Sequence, residues 1–524
     1  MGKLFQFENA VMAVLCALAF CIFAYAGILA QSIVMSGQPF IFRESQTAMA
    51  ILFADGWAFK DAINPILGSQ ANPVLEFPLY QQIVAQFRRW GMPMEGSARA
   101  LSWLSYLITV ALLAYYAAKR IDLFQGLLTG ALLLSIPLYL YWANTMMIET
   151  FALLLSTSFA VILFDWMTRG DDEVLGRSRL RLAAEFGFAL IIGVLAALVK
   201  ITTFLPIAIM LALVGLVRLI QVRGFHADRD ALVRRLALLT ASGAVVVISM
   251  VFAIIWTGYG DSVKATNPMT EFIVSENLRL WNFATLEFRQ SFELWSKFPL
   301  RIFPEALGYL WQVAIVLAAI GIYLRPKRAM LVGLLCISTL IFVLIFPKLH
   351  AVHNYYQSAS SLWMVLGVSL AIGAFRERWM SILATIVVMF GMIAQFAVGT
   401  TNIGRPYLDV LKSKGKGGLA NTGDLIQTIT DEDDWIVVLG MDWNPQLLYL
   451  AKRRGIAFSD KFGANQPLMR EVAAGEHGDV ALVADCRRGA ESETPTATDY
   501  LPLKIIADGR ERVDGIEGSC TLYM

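Results

Sequence analysis

Residues 11–30 read VMAVLCALAFCIFAYAGILA, a run without a single charged side chain. A helix of about 20 such residues crosses the roughly 30 Å hydrocarbon core of a bilayer. Residues 382–398 form a comparable run near the other end of the apolar region. Of the 524 residues, 57% are hydrophobic and 16% charged, whereas about a quarter are charged in ordinary soluble domains. The chain is therefore predicted to cross a membrane several times.

The apolar runs before residue 400 predict a polytopic all-α bundle. Backbone groups in lipid have no water to bond with, so each crossing must be a helix. Lys200 separates two runs that could also be one broken helix, with Thr202, Thr203 and Pro206 near the break. About eleven spans are predicted: 9–30, 100–118, 123–141, 146–168, 183–199, 202–220, 236–257, 306–324, 329–346, 360–375 and 379–399.

Basic residues gather in alternate loops, as they do on the cytoplasmic side of membrane proteins. The intervening short loops carry a single Lys and no Arg. We expect a multi-pass membrane protein, with the first run an anchor, the N-terminus inside and the C-terminus outside. The basic loops are 119–120, 169–181, 218–235, 325–328 and 376–378.

Two predicted outer loops, 31–99 and 258–305, are too long to be simple connections. Each contains an amphipathic aromatic and basic stretch, at 83–90 and 283–303. Such stretches suit the membrane interface, and a solvated cap over the bundle is the equally weighted alternative.

After residue 400 the pattern changes to a small soluble α/β domain, expected on the outer face. This part carries 14 Lys and Arg against 19 Asp and Glu. Strands are predicted at 435–440, 480–484 and 501–506, and a helix at 444–454 that Gly455 ends. Cys486 and Cys520 lie here, where an oxidising compartment would allow a disulfide. The predicted division is 1–399 for the membrane domain and 400–524 for the outer domain.

Several function classes lose their usual sequence support. The chain has no Walker lysine loop, no GxGxxG after a strand, no HExxH and no CxxC pair. A net charge of +2 gives no reason to expect nucleic acid.

Polar residues near lipid are costly to bury, so they mark candidate sites. In the first outer loop, Glu44 follows Arg43, and Ser45 or Thr47 could start a helix that Glu44 merely caps. Asp55 would lie on the same helix face but about 16 Å away, too far for a carboxylate pair. Glu76 precedes Pro78, which is expected to open a helix from Leu79, so a cap is again the simple interpretation.

Two further clusters lie beside later spans. Glu149 is predicted one turn inside the apolar span 146–168, deeper than a cap should be. Lys200 either adds positive charge to a site or extends to the interface. The segment 347–357 holds His350 and His353, for which metal ligation, phosphate binding and simple packing all remain open.

Taken together, these clusters resemble the GT-C glycosyltransferases, and more narrowly the bacterial relatives of lipid A aminoarabinose transferase and protein O-mannosyltransferase. The shared features are a first-loop acid, the LEFPLY segment at 75–80, a Glu entering span four, Lys-Thr-Thr at 200, 202 and 203 and HNYYQ at 353–357. The resemblance covers roughly residues 1–400. It implies a GT-C membrane bundle that moves one sugar from a polyprenyl phosphate to a glycolipid, glycan or protein acceptor outside the membrane. It also implies a bacterial inner membrane, with the N-terminus cytoplasmic and the C-terminal domain periplasmic.

The resemblance also implies roles for the candidate residues. Glu44 matches the acid that acts near the acceptor and would be the base; direct displacement would then invert the anomeric centre. Glu76 matches an acid associated with a metal, although Phe77 replaces the family's lysine, and a divalent ion held by Glu76 and His353 is the only cofactor expected. The residues expected to bind the donor phosphate or substrate are Arg43, Glu149, Lys200, Lys348, His350, His353, Tyr355 and Tyr356.

Two rival interpretations come from other classes. In a secondary transporter, Glu149, Lys200 and the histidines would line a translocation path, but no internal repeat is visible and the long outer loops fit poorly. An assembly subunit with an inactive GT-C fold would leave glycans unchanged when Glu44 is altered.

Overall fold

The protein is described by a computed structural model in which a helical bundle is followed by a small sheet. The described residues are 2–34, 42–52, 76–168, 176, 178–222, 229–265, 273–398, 418–441, 444–458, 466–475, 479–487, 509–513 and 520–524. Asp55, the predicted strand at 501–506 and the side chain of Arg43 lie outside them.

The helices that precede the sheet are numbered in chain order. They are α1 Gly2–Val34, α2 Phe42–Leu52, α3 Leu79–Arg89, α4 Met94–Arg120, α5 Leu123–Leu134, α6 Pro137–Trp142, α7 Glu149–Thr168, α8 Arg179–Val199, α9 Ile201–Val222, α10 Arg229–Ala265, α11 Arg279–Phe283, α12 Leu286–Gln290, α13 Phe292–Leu307, α14 Trp311–Leu324, α15 Ala329–Ile345, α16 Pro347–Val352, α17 Ser358–Ile372, α18 Arg378–Val398 and α19 Gly418–Ile429.

Eight helices within the described residues are long and apolar enough to cross a membrane, or nine if the bent pair α13 and α14 is one span. This is fewer than the eleven predicted. The run at 123–141 breaks into α5 and α6, because Pro137 cannot continue the preceding helix. Helix α17 has only 15 residues, almost all of them buried. Such short apolar helices are typical of a buried core.

Helices α13 and α14 meet at an angle of 79°. Gly308 between them has a positive φ of 75°, which glycine adopts without strain. A Cβ at this position would overlap the Gly391 carbonyl of α18, and the neighbouring Tyr309 N–H donates to that carbonyl at 3.1 Å. The bend therefore depends on glycine and on its contact with α18.

Lys200 is the only residue between α8 and α9, and its backbone is extended (φ −159°, ψ 91°). The predicted break is therefore real, but Pro206 lies inside α9 rather than at the break. Both helices pack against α7. Because α7 begins at Glu149, the packing brings the Lys200 turn next to this acid.

After the bundle, five strands form one sheet in the order β2-β1-β3-β5-β4. Strands β1, β2 and β3 are parallel, whereas β5 is antiparallel to both β3 and β4. The bounds are β1 Trp435–Leu439, α20 Gln446–Ala451, β2 Arg454–Ala457, α21 Gln466–Ala473, β3 Val480–Asp485, β4 Arg512–Val513 and β5 Thr521–Tyr523.

The strands predicted at 435–440 and 480–484 are confirmed as β1 and β3. The predicted end of the helix at Gly455 is wrong, because α20 ends at Ala451 and Gly455 pairs with Ile436 inside the sheet. The Ile436 carbonyl leaves no space for a Cβ at position 455, so only glycine allows β1 and β2 to pack this closely. Cys486 and Cys520 form the expected disulfide.

Candidate active site

Glu44 lies in the first turn of α2 and is completely buried. The helix begins at Phe42, so neither Ser45 nor Thr47 starts it. The Glu44 carboxylate accepts a hydrogen bond from the Met146 backbone N–H at 2.7 Å. Arg99 Nη1 lies 3.3 Å from the same oxygen, Oε1.

Arg99 is the residue that the sequence interpretation missed here. It lies near the start of α4, is 2% exposed, and donates from Nη1 to the Asn144 carbonyl at 2.7 Å. Together Glu44 and Arg99 hold the loop between α6 and α7, one through Met146 and the other through Asn144. The available signal was an arginine directly before a predicted span at 100–118, where burying an unpaired charge would be costly.

A second buried ion pair lies where that loop enters α7. Glu149 is the first residue of α7, not one turn inside it as predicted. The Lys200 ammonium donates to Glu149 Oε1 at 2.6 Å, and both side chains are at most 4% exposed. Glu149 Oε2 has no hydrogen-bond partner among the described residues. Lys200 therefore does not extend to the interface but neutralises a buried acid.

Tyr80 lies near both ion pairs. Its hydroxyl contacts Ser102 Oγ at 2.9 Å and donates to the Ala98 carbonyl at 2.7 Å. Burial raises the pKa of Tyr80, and the nearby Glu44 and Glu149 carboxylates add to the rise. Both acids therefore lie within electrostatic range of one phenol.

Aromatic rings surround the cations of the site. The Lys200 ammonium lies 5.2 Å from the Tyr356 ring centroid and 5.7 Å from that of Tyr355. The His353 ring stacks on the Tyr355 ring, with 5.1 Å between the ring centroids. The centroids of His353 and Trp281 are 6.0 Å apart. We call Trp281, His353, Tyr355 and Tyr356 the aromatic shelf.

Lys348 borders the other side of the aromatic shelf. Its ammonium lies 4.9 Å from the Trp281 ring centroid, within cation–π range. It is half-buried and forms no ion pair with any described acid. Two lysines thus flank one group of rings, and Trp281 was not anticipated from the sequence.

His350 takes a different position from His353. Helix α16 ends at Val352, His353 is extended, and the two imidazoles therefore do not share a helix face. The His350 ring is buried against Phe342 and Tyr356. Burial lowers the pKa of His350 to about 3, with a smaller contribution from Arg301. The imidazole is thus neutral and enclosed.

Two arginines from the 258–305 loop hold this histidine segment. Arg289 donates to the Leu344 carbonyl at 2.6 Å, at the C-terminal end of α15. Arg301 donates to the carbonyls of Ala351 and Val352 at the end of α16. A cation suits the negative end of a helix dipole. The stretch 283–303 thus positions the aromatic shelf from outside.

Glu76 lies close to the Lys200 turn, because the next residue, Phe77, bonds to the end of α8. The Phe77 N–H donates to the Leu198 carbonyl at 3.1 Å, and the Phe77 ring packs against Trp256. Helix α3 begins at Leu79, as Pro78 predicted. No group of three or more His, Cys, Asp and Glu side chains suited to a metal occurs among the described residues.

Acids and cations from distant parts of the sequence therefore converge at one end of the bundle. Glu44 bonds to the α6–α7 loop, Trp142 beside that loop contacts Tyr355 at 5.7 Å, and Tyr355 stacks on His353.

The fold is similar to that of ArnT from Cupriavidus metallidurans bound to undecaprenyl phosphate, with a TM-score of 0.63 and 12% identity over 97% of each chain. The apo ArnT structure gives a TM-score of 0.52 at 11% identity over 92% of each chain. The archaeal oligosaccharyltransferase AglB of Archaeoglobus fulgidus, in complex with an inhibitory peptide and a dolichol-phosphate, gives 0.53 at 11% identity, covering 89% of this chain and 69% of that chain. No protein-family model and no curated protein matches the sequence. The GT-C fold predicted from the sequence is thus confirmed.

Proposed function

We propose that the protein is a membrane glycosyltransferase that takes a sugar from a polyprenyl-phosphate carrier. The observation that carries this proposal is the convergence of two buried acid–cation pairs and the aromatic shelf at one end of the bundle. It is supported by fold neighbours that were solved with undecaprenyl phosphate and dolichol-phosphate. The acceptor is a cell-envelope glycolipid, glycan or protein.

In this mechanism Glu44 accepts the proton from the acceptor hydroxyl. The hydroxyl oxygen forms a bond to the anomeric carbon while the bond from that carbon to the phosphate oxygen breaks. The polyprenyl phosphate leaves with the bonding electrons, and direct displacement inverts the anomeric centre. Arg99 positions the Glu44 carboxylate through the observed ion pair.

The negative charge on the leaving phosphate must be stabilised by cations. This stabilisation is strongest in a site from which water is excluded. We assign this role to Lys348 and Lys200, which flank the aromatic shelf, together with His353 and Arg43. Tyr355 and Tyr356 provide rings for the sugar or carrier, and Glu149 holds Lys200 in place. His350, neutral and enclosed, is assigned to packing of the loop. A divalent ion at Glu76 and His353 remains a separate proposal from the sequence.

The proposed orientation follows the basic loops. The acid and shelf residues would face the periplasm, with residues 400–524 beside them, and the basic loops would face the cytoplasm. Helix α20 already packs against α2, the helix that carries Glu44. The sheet region would then border the acceptor side of the site.

The test is a transfer assay with purified protein, labelled polyprenyl-phosphate sugars and membrane glycolipid acceptors. We expect the Glu44→Gln variant to remain folded and to lose about 10² to 10⁴ in rate. Glu293→Gln, which alters an exposed acid paired with Lys297, is the matched control and should transfer normally. Equal transfer by wild type and Glu44→Gln would remove Glu44 as the base. Labelled solute accumulating in proteoliposomes without transfer would instead support a transporter.

A further inference from the structure

A cavity of about 390 Å³ lies near the end of α7 opposite to Glu149. Its lining includes Ala160, Phe164 and Thr168 of α7, whereas Glu149 begins that helix. At 1.5 Å per residue, these positions are roughly 16 to 28 Å from Glu149 along the helix axis. The cavity is therefore separate from the candidate active site.

The walls of this cavity are mainly apolar. Helices α4, α9, α15 and α17 complete them, with Leu113, Leu335 and Trp363 among the buried contributors. Its size falls within the usual range for ligand pockets. No acidic side chain is among the described residues that line it. Such walls suit a hydrocarbon chain rather than a water-soluble anion.

Three cations line the same cavity where it reaches the surface: Arg120, Lys327 and Arg328. Asp165 pairs with Arg120 at 2.8 Å and offsets its charge. Arg328 donates to neutral acceptors, Gln125 Oε1 at 3.1 Å and the Leu370 carbonyl at 3.0 Å, and the nearby Asp122, which is itself paired with Arg378, offsets its charge only in part. Lys327 is exposed and forms no ion pair with the described acids.

We propose that this cavity binds an anionic glycerophospholipid. One acyl chain would occupy the apolar interior, and the phosphate would contact Lys327 and Arg328. The assignment rests on charge complementarity at the opening and on the apolar walls beneath it. Basic pockets between membrane helices bind anionic head groups by the same physics. The position of the cavity, away from the acids and the aromatic shelf, favours a resident membrane lipid over the sugar carrier.

The proposal is tested on the full-length protein in detergent by native mass spectrometry. Phosphatidylglycerol, phosphatidylcholine with the same chains, and polyprenyl phosphate are added separately. We expect saturable binding of one phosphatidylglycerol, with phosphatidylcholine weaker. Lys327→Gln should weaken phosphatidylglycerol about fivefold, since a cation near a lipid surface contributes about that factor. Lys119→Gln, an exposed lysine at the same end that does not line the cavity, should change it little.

A second variant tests the interior of the cavity. Ala117→Leu adds carbon atoms within the lining and should reduce binding of both phospholipids without changing the surface charge. Trp363 gives an independent readout, because a brominated acyl chain in the cavity should quench it. The part of the fluorescence quenching that disappears in the Trp363→Phe variant shows whether the acyl chain lies in the cavity.

Three outcomes would overturn the proposal. Equal weakening by Lys327→Gln and Lys119→Gln would mean general surface attraction. Equal binding of phosphatidylcholine and phosphatidylglycerol would remove the head-group contact. Binding of polyprenyl phosphate alone, sensitive to Ala117→Leu, would assign the cavity to the carrier. None of these measurements requires sugar transfer, so failure here leaves the proposed function untouched.

Discussion

The Glu149 carboxylate and the Lys200 ammonium lie 2.6 Å apart, and both are buried. The two residues are 51 positions apart in the chain, and Lys200 is the break between α8 and α9. The ion pair therefore holds the start of α7 against the non-helical residue that separates α8 from α9. Because Lys200 also faces Tyr355 and Tyr356, the pair links the helix bundle to the aromatic shelf.

Replacing Lys200 by Met should destabilise the protein strongly, by about 3 to 5 kcal/mol, because Glu149 would remain as an unpaired buried charge. The double variant Glu149→Leu with Lys200→Met should recover part of this loss. Unfolding in detergent measures both. Lys297→Met breaks an exposed pair with Glu293 and should cost less than about 1 kcal/mol. A Lys200→Met variant as stable as Lys297→Met would show that the buried pair does not hold the fold together.

Arg99 acts as a positioning residue for Glu44, so its loss should change the rate more than the binding of the donor. We expect Arg99→Met to lower kcat at least tenfold while KM for the donor changes little, since only the geometry of the base is altered. Arg99→Lys should restore part of the rate. Steady-state kinetics at several donor concentrations separate the two parameters. A rise in KM with unchanged kcat would instead place Arg99 in donor binding.

His350 should make stability depend on pH. Its pKa is lowered to about 3 in the folded protein against an ordinary 6.5, so the unfolded chain binds the proton more readily. The stability contributed by the neutral ring is complete above pH 6.5 and is lost as pH falls toward 3. Its slope is at most about 1.4 kcal/mol per pH unit. Unfolding curves of wild type and His350→Gln between pH 4 and 8 test this, and parallel pH dependence in the two would contradict it.

Tyr449 connects the sheet region to the bundle through a hydrogen bond to Glu95 Oε1 at 2.7 Å. Removing the hydroxyl in Tyr449→Phe should cost about 1 to 3 kcal/mol, since the half-buried Glu95 carboxylate loses a hydrogen-bond donor. Amide hydrogen exchange in α20 should become faster. Tyr523→Phe, on strand β5 away from this contact, is the control. Unchanged exchange in α20 would mean that other contacts, such as that between α20 and α2, hold the two regions together.

The Cys486–Cys520 disulfide closes the end of β3 onto β5. Both thiols should resist labelling in the unreduced protein and react after reduction and unfolding. Cys520→Ser should lower the stability of the sheet by about 2 to 4 kcal/mol. Mass spectrometry of alkylated peptides gives the measurement. Immediate alkylation of both cysteines in native protein would show that the bond is absent in solution.

Much of the helical architecture could be predicted because lipid imposes a simple rule on sequence. A run such as 11–30 must be helical to satisfy its backbone, whatever it packs against. The GT-C arrangement was recognised from short motifs that follow one another in a fixed order. Helix ends were less accurate: Pro137 divides a predicted span, and Glu149 begins α7 rather than lying inside it.

The sequence by itself determined the class of fold, the basic loops and the candidate acids, because hydropathy and charge are local properties of the chain. Only the tertiary structure decided which charges meet. Nothing near Glu44 in sequence points to Arg99, and nothing near Lys348 points to Trp281. These contacts depend on how whole helices pack, and packing energies come from surfaces that are far apart along the chain.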